Sequence, residues 1–138
     1  MKEFISLSIF NELFKKKKIR RIKMATKKEI SMIGFDIVAY AGDARTDLID
    51  ALKAAKAGKF DEAEKLVKSA NESIVDAHNT QTKLLSKEAG GEEMEPTFIM
   101  VHAQDTLMTT MLLKDEITFF IDQYKEIDAI KKQLQERD

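Results

Sequence analysis

Cysteine is absent from this 138-residue sequence, proline occurs once and glycine only five times. Without cysteine there is no disulfide, no thiolate nucleophile and no cysteine-ligated zinc or iron–sulfur centre. That fits a reducing, cytoplasmic setting. One proline and five glycines supply too few turn residues for a sandwich or barrel of many short strands. What remains is 43% hydrophobic and 34% charged, an ordinary balance for a helical chain. The length suits one domain with a core of its own and is too short for two.

The net charge of −1 conceals an asymmetry. Residues 1–28 hold ten Lys or Arg against two Glu and carry +8, whereas the rest holds thirteen basic and twenty-two acidic residues and carries −9. An acidic body is a poor match for nucleic acid, so no nucleic-acid partner is expected.

Residues 1–23 read MKEFISLSIFNELFKKKKIRRIK, with the apolar part ahead of the basic part. A secretory signal has the reverse order and a small-residue cleavage site, and the apolar stretch is too short and interrupted to span a bilayer. Three readings stand. Phe4, Ile5, Phe10, Leu13 and Phe14 can dip into lipid while Lys15, Lys16, Lys17 and Lys18 meet acidic headgroups. Alternatively, Met24 is the translational start, with AGG codons for Arg20 and Arg21 forming a ribosome-binding site; CGN codons there would remove that reading. The third is a disordered tail. The expected division is an N-terminal extension over 1–23 and a functional domain over 24–138.

The body is patterned for helices. Ile30, Ile33, Ile37, Ala41, Ala44, Leu48, Ala51 and Ala55 step by three and four residues, the stripe of a helix with one face in a core. Gly58 supplies a C-terminal stop. A second stripe runs through Phe60, Ala63, Val67, Ala70, Ile74, Ala77, Gln81 and Leu84, and ends before Gly90-Gly91. Pro96 suits the first turn of a third helix reaching about Leu134. The pattern therefore predicts an all-α, antiparallel three-helix bundle. Gly42 falls within the first stripe, where glycine costs about 1 kcal/mol relative to alanine; close approach of a neighbouring helix would explain it, as would a mild kink. Asp43 and Arg45 read as a solvated face.

The third helix has too many apolar residues for two neighbours to cover. Val101, Leu107, Met108, Met111, Leu112, Leu113, Ile117, Phe119, Phe120 and Ile121 surround most of its circumference, which implies an interface between subunits with closed symmetry. Among them, His102, Asp105, Thr109 and Glu116 lie within about 60° of one another, on the side shared by Phe98 and Phe120. One reading is a structural network in which His102 bonds Asp105 or a neighbouring helix. The other makes His102 a nucleophile that holds a phosphoryl group as a labile N–P bond, with Gln104, Thr106 and Thr109 as nearby donors. Copies of Asp105 converging on a symmetry axis would repel unless protonated or joined by a hard cation such as Mg²⁺.

Residues 101–109, VHAQDTLMT, resemble the VHAQDHLMT segment of the lactose/cellobiose-type IIA proteins of the bacterial phosphoenolpyruvate-dependent sugar phosphotransferase system. The likeness continues in residues 37–45, IVAYAGDAR, and in His78 with residues 81–85, QTKLL, and spans roughly residues 29–125. It implies a homotrimer of three-helix subunits. His102 then accepts phosphate from the phosphocarrier HPr and passes it to a cysteine of the IIB component, which serves the membrane component IIC. Gln104 matches an active-site glutamine, Asp105 the axial metal-binding aspartate, and His78 a second histidine of the family. Thr106 departs from the pattern, since many members carry histidine there. A hydroxyl can donate one hydrogen bond to a phosphoryl oxygen and brings no positive charge.

Two rival readings have no phosphoryl chemistry. Residues 57–63, AGKFDEA, resemble a tetratricopeptide junction and suggest a helical scaffold, but no second copy follows at a 34-residue period. A basic-tailed adaptor needs residues 1–23. The sugar is not legible: lactose, cellobiose and chitobiose all fit.

Overall fold

A computed structural model describes residues 25–137; the division at residue 23 and the readings placed on residues 1–23 lie outside the described residues. The described residues form three helices: α1 over Lys27–Lys56, α2 over Phe60–Ala89 and α3 over Phe98–Gln135. Helix α1 begins where Thr26 and Glu29 close a capping box. The Glu29 amide donates to the Thr26 hydroxyl oxygen at 3.2 Å, and the Thr26 amide donates to the Glu29 carboxylate at 2.8 Å. Two of the amides left over at a helix start are thereby satisfied.

Both interhelical turns use one device. Gly58 and Gly91 adopt φ of +77° and +90°, the left-handed region that a side chain disfavours. At the first turn Gly58 N–H donates to Ala55 C=O and Lys59 N–H to Ala54 C=O. At the second, Gly91 N–H donates to Glu88 C=O and Glu92 N–H to Lys87 C=O. These are Schellman closures that absorb the last carbonyls of α1 and α2. Pro96 lies just ahead of α3 rather than in its first turn. Thr97 is the N-cap, its buried hydroxyl accepting from the Met100 amide at 3.2 Å.

The core is narrow and built largely of alanine. Ala41, Ala44, Ala51 and Ala55 of α1, Ala63, Ala70 and Ala77 of α2 and Ala103 of α3 are almost wholly buried, with Ile30, Ile37, Leu48, Leu107 and Ile117 as the large side chains among them. Small residues let the helix axes come close; the large ones supply most of the apolar area removed from water. Each expected stripe faces this core, with Ile33, Phe60, Val67 and Leu84 packed at its margins. On the α2 side of α3, Lys114 donates to Asn71 at 2.8 Å and Lys125 to Glu64 at 2.7 Å. The Glu64 contact raises the Lys125 pKa above the ordinary lysine value.

Among the described residues, nothing outside its own helical backbone lies within 4 Å of where a Gly42 Cβ would stand, so neither of the other two described helices explains it. The close approach occurs at Gly34 instead. A Cβ there would sit 3.2 Å from the Ile99 carbonyl carbon and oxygen and from the Met100 nitrogen. Asp43 and Arg45 are exposed, as a solvated face requires.

Leu107 is fully buried and Leu112 is 58% exposed. Leu107→Ala is therefore expected to cost about 2–5 kcal/mol in urea denaturation. Leu112→Ala, measured where the chain is monomeric, should cost less than about 1 kcal/mol.

Candidate functional site on the third helix

At about 100° per residue, the circumference of α3 reads in order. From His102, a turn of about 60–80° reaches Ile99 and Thr110, which meet α1: Ile99 through its backbone at Gly34, and Thr110 through a 3.4 Å bond from its hydroxyl to the Ala41 carbonyl. About 120–140° round lie Lys114 and Lys125, which meet α2. Beyond these stands Gln104, at about 200°. The rest of the circle, from Gln104 through Met108, Val101, Phe119, Leu112, Asp105 and Phe98 back to His102, faces away from both helices.

That outward arc carries a group of large, exposed apolar side chains. Phe98 is 97% exposed, Phe119 71%, Val101 58% and Met108 56%. The helix is apolar nearly all round, as its sequence shows, yet the other two described helices cover it on only one side. A contiguous exposed apolar face of this kind is a candidate interaction surface.

His102, Asp105, Thr109 and Glu116 are all exposed, so the buried structural network is not formed. Among the described residues no hydrogen bond or ion pair joins His102 to Asp105, and neither side chain has another partner. The His102 imidazole is accessible for chemistry. Thr106 and Thr109 are differently placed. The Thr106 hydroxyl donates to the His102 carbonyl at 2.8 Å, and the Thr109 hydroxyl to the Asp105 carbonyl at 2.8 Å. A hydroxyl has one proton, and helical threonines commonly spend it on the preceding turn. In this conformation both hydroxyl protons are directed at the helix backbone.

Gln104 and His78 do not meet His102 within the chain. Gln104 projects from the opposite flank of the arc. His78 is exposed on α2. Asn71 meets Lys114, so the antiparallel run places His78, two turns further along α2, opposite the Leu107 turn of α3, on the Gln104 side. Asp105 stands near the middle of the arc. The described residues contain no group of three or more His, Cys, Asp or Glu side chains able to hold a metal ion, Asp105 included. No helix among the described residues is long and apolar enough to cross a membrane.

Three features were not picked out in the sequence. The Thr97 cap was legible as a threonine after proline at a helix start. Thr110 gives no such signal, because only the structure shows that it alone of the α3 threonines points at α1. Gly34 is an unremarked glycine in a helical run.

Comparison with known proteins identifies the family. A family described as "PTS system, Lactose/Cellobiose specific IIA subunit" matches residues 32–125. The lactose-specific EIIA component of Lacticaseibacillus casei is 62% identical over 108 residues, which cover 78% of this chain and 96% of that protein. The crystal structure of the cellobiose-specific enzyme IIA from Bacillus anthracis superposes with a TM-score of 0.71 at 40% identity, covering 77% of this chain and 95% of that one. The IIA(chitobiose) of Escherichia coli, determined in complex with HPr, gives 0.64 at 33% identity, over 72% of this chain and 97% of that one. Fold and matches define the class: a IIA component of a sugar phosphotransferase system. The chain belongs to the lactose/cellobiose-specific IIA family, whose business is phosphoryl transfer in sugar uptake.

Because its hydroxyl proton is committed to the helix, Thr106→Val is expected to leave the rate of phosphate acceptance within about twofold of wild type in a labelled-phosphate assay. A tenfold loss would show that the hydroxyl turns toward the phosphoryl group during transfer.

Proposed function

We propose that the chain is a phosphocarrier that takes a phosphoryl group from HPr onto His102 and passes it to a cysteine of a IIB component, on behalf of a membrane IIC transporter. The observation that carries this reading is the exposed, unpartnered imidazole of His102 inside the segment most like the family. The lone-pair nitrogen of the imidazole attacks phosphorus in line. The bond from phosphorus to the donor breaks, and its electron pair stays with the donor. In the second step the IIB thiolate attacks, the N–P bond breaks, and its pair returns to the imidazole.

Three copies of the chain, each turning the outward arc of α3 to a common axis, account for the exposed Val101, Met108, Leu112 and Phe119. This arrangement also completes the site. His102 and Gln104 occupy opposite flanks of the arc, so in a ring the His102 flank of one subunit adjoins the Gln104 and His78 flank of the next. Gln104 and His78 then act on the phosphoryl group of a neighbour.

Asp105 fits an axial cation only in such a ring, where three carboxylates amid apolar side chains supply the oxygen ligands that Mg²⁺ or a similar divalent ion prefers. The ion would neutralise converging charge and takes no part in the transfer. The sugar is read by the partners, not by this chain. The greater identity to a lactose-specific protein favours the lactose branch, which faster transfer to a lactose IIB than to a cellobiose IIB would bear out.

After incubation with phosphoenolpyruvate, enzyme I and HPr, intact mass should show one acid-labile phosphate per wild-type chain and none on His102→Ala. Phosphate persisting on His102→Ala would defeat the assignment; none on folded wild type would favour a non-catalytic scaffold. Asp105→Leu is expected to sediment as a trimer at least as stable as wild type in chelator, because it removes buried like charge. A dissociated variant would show instead that a bound cation holds the ring together.

A further inference from the structure

The first turn of α3, which immediately precedes His102, is fixed by its cap and by burial. Its N-cap hydroxyl, on Thr97, is buried and bonded to the Met100 amide. Val101 N–H closes back onto the Thr97 carbonyl at 3.1 Å, and the Met100 side chain is buried. Against the outside of this turn lies α1 at Gly34, with the Ile99 and Met100 backbone 3.2 Å from a notional Cβ. The atoms met are backbone atoms of a capped helix, which cannot swing aside as a side-chain tip can.

We infer that Gly34 is a positioning residue for His102: by having no side chain, it sets how closely the first turn of α3 lies on α1, and so where the imidazole stands. His102 follows Met100 by two residues on one rigid helix, so a displacement of the Ile99–Met100 backbone is carried directly to it. In-line phosphoryl transfer depends on positioning more than on covalent assistance. A Cβ at Gly34 pushes the turn outward by a few tenths of an ångström before contact becomes ordinary. Helix propensity works in the opposite direction, since alanine is a better helix former than glycine. The substitution therefore separates placement of the histidine from stability of the fold.

This inference rests on the phosphocarrier reading, and the experiment distinguishes the two. Full-length wild type, Gly34→Ala, Gly34→Val and Gly42→Ala are phosphorylated by saturating phospho-HPr in single turnover, reading both rate constant and end point. Gly42→Ala adds the same methyl to the same helix where nothing lies within 4 Å, and should match wild type. Gly34→Ala should reach the full end point of one phosphate per chain with a rate constant lowered roughly three- to tenfold, and Gly34→Val should be slower still. A Gly34→Ala rate equal to wild type would overturn the inference, as would equal slowing by Gly42→Ala. A reduced end point at an unchanged rate constant would also overturn it, because that marks fewer folded chains rather than a misplaced imidazole. No phosphate on wild type would remove the phosphocarrier reading and this inference together.

Discussion

Alanine packing between the helices sets the terms for the rest of this molecule. Where Ala41, Ala44, Ala51 and Ala55 face Ala63, Ala70, Ala77 and Ala103, the helices come near enough for backbone to touch backbone, as at Gly34 and Ile99. Close packing gains dispersion contacts along the whole seam. It also leaves little room between the helices for large side chains. Ile30, Ile37, Leu48, Leu107 and Ile117 fill what room there is, and the remaining bulk of α3 has to go outside. The exposed arc of Phe98, Val101, Met108, Leu112 and Phe119 is thus the counterpart of a small-residue core.

The functional residues follow from that division. A helix covered on one side and apolar on the other invites further copies, and whatever polar groups stand on its outer face are then brought together. In the proposed ring, Asp105, near the middle of the arc, would lie toward the axis, and His102 and Gln104, on its flanks, toward neighbouring subunits. One short sequence segment can in this way supply an axial group and both halves of a shared site, because a helix distributes consecutive residues round its circumference.

Much of the fold was legible from spacing alone. The steps of three and four from Ile30 to Ala55 and from Phe60 to Leu84 mark the buried faces, and Gly58 and Gly91 stand where the chain must reverse. The apolar excess of α3 was also readable as a surface in need of cover. The surroundings of the polar residues on it were not. Sequence places His102, Asp105 and Thr109 on one side of a helix, but accessibility depends on which side the other two helices occupy. The fate of the Thr106 hydroxyl, which spends its proton on the His102 carbonyl, is a matter of rotamer. Gly42 and Gly34 illustrate the same gap. Both interrupt the same helix, and only the register of α1 against α3 shows which one is pressed against a backbone.

By itself, then, the sequence determined three helices, their order, the faces they bury and the segment bearing His102, because periodicity, capping and turn chemistry act over a few residues. The tertiary structure decided the exposure of the imidazole, the separation of Gln104 and His78 from it, and the close contact at Gly34. Those depend on interhelical register and distance, which arise only when residues far apart in the chain are packed together.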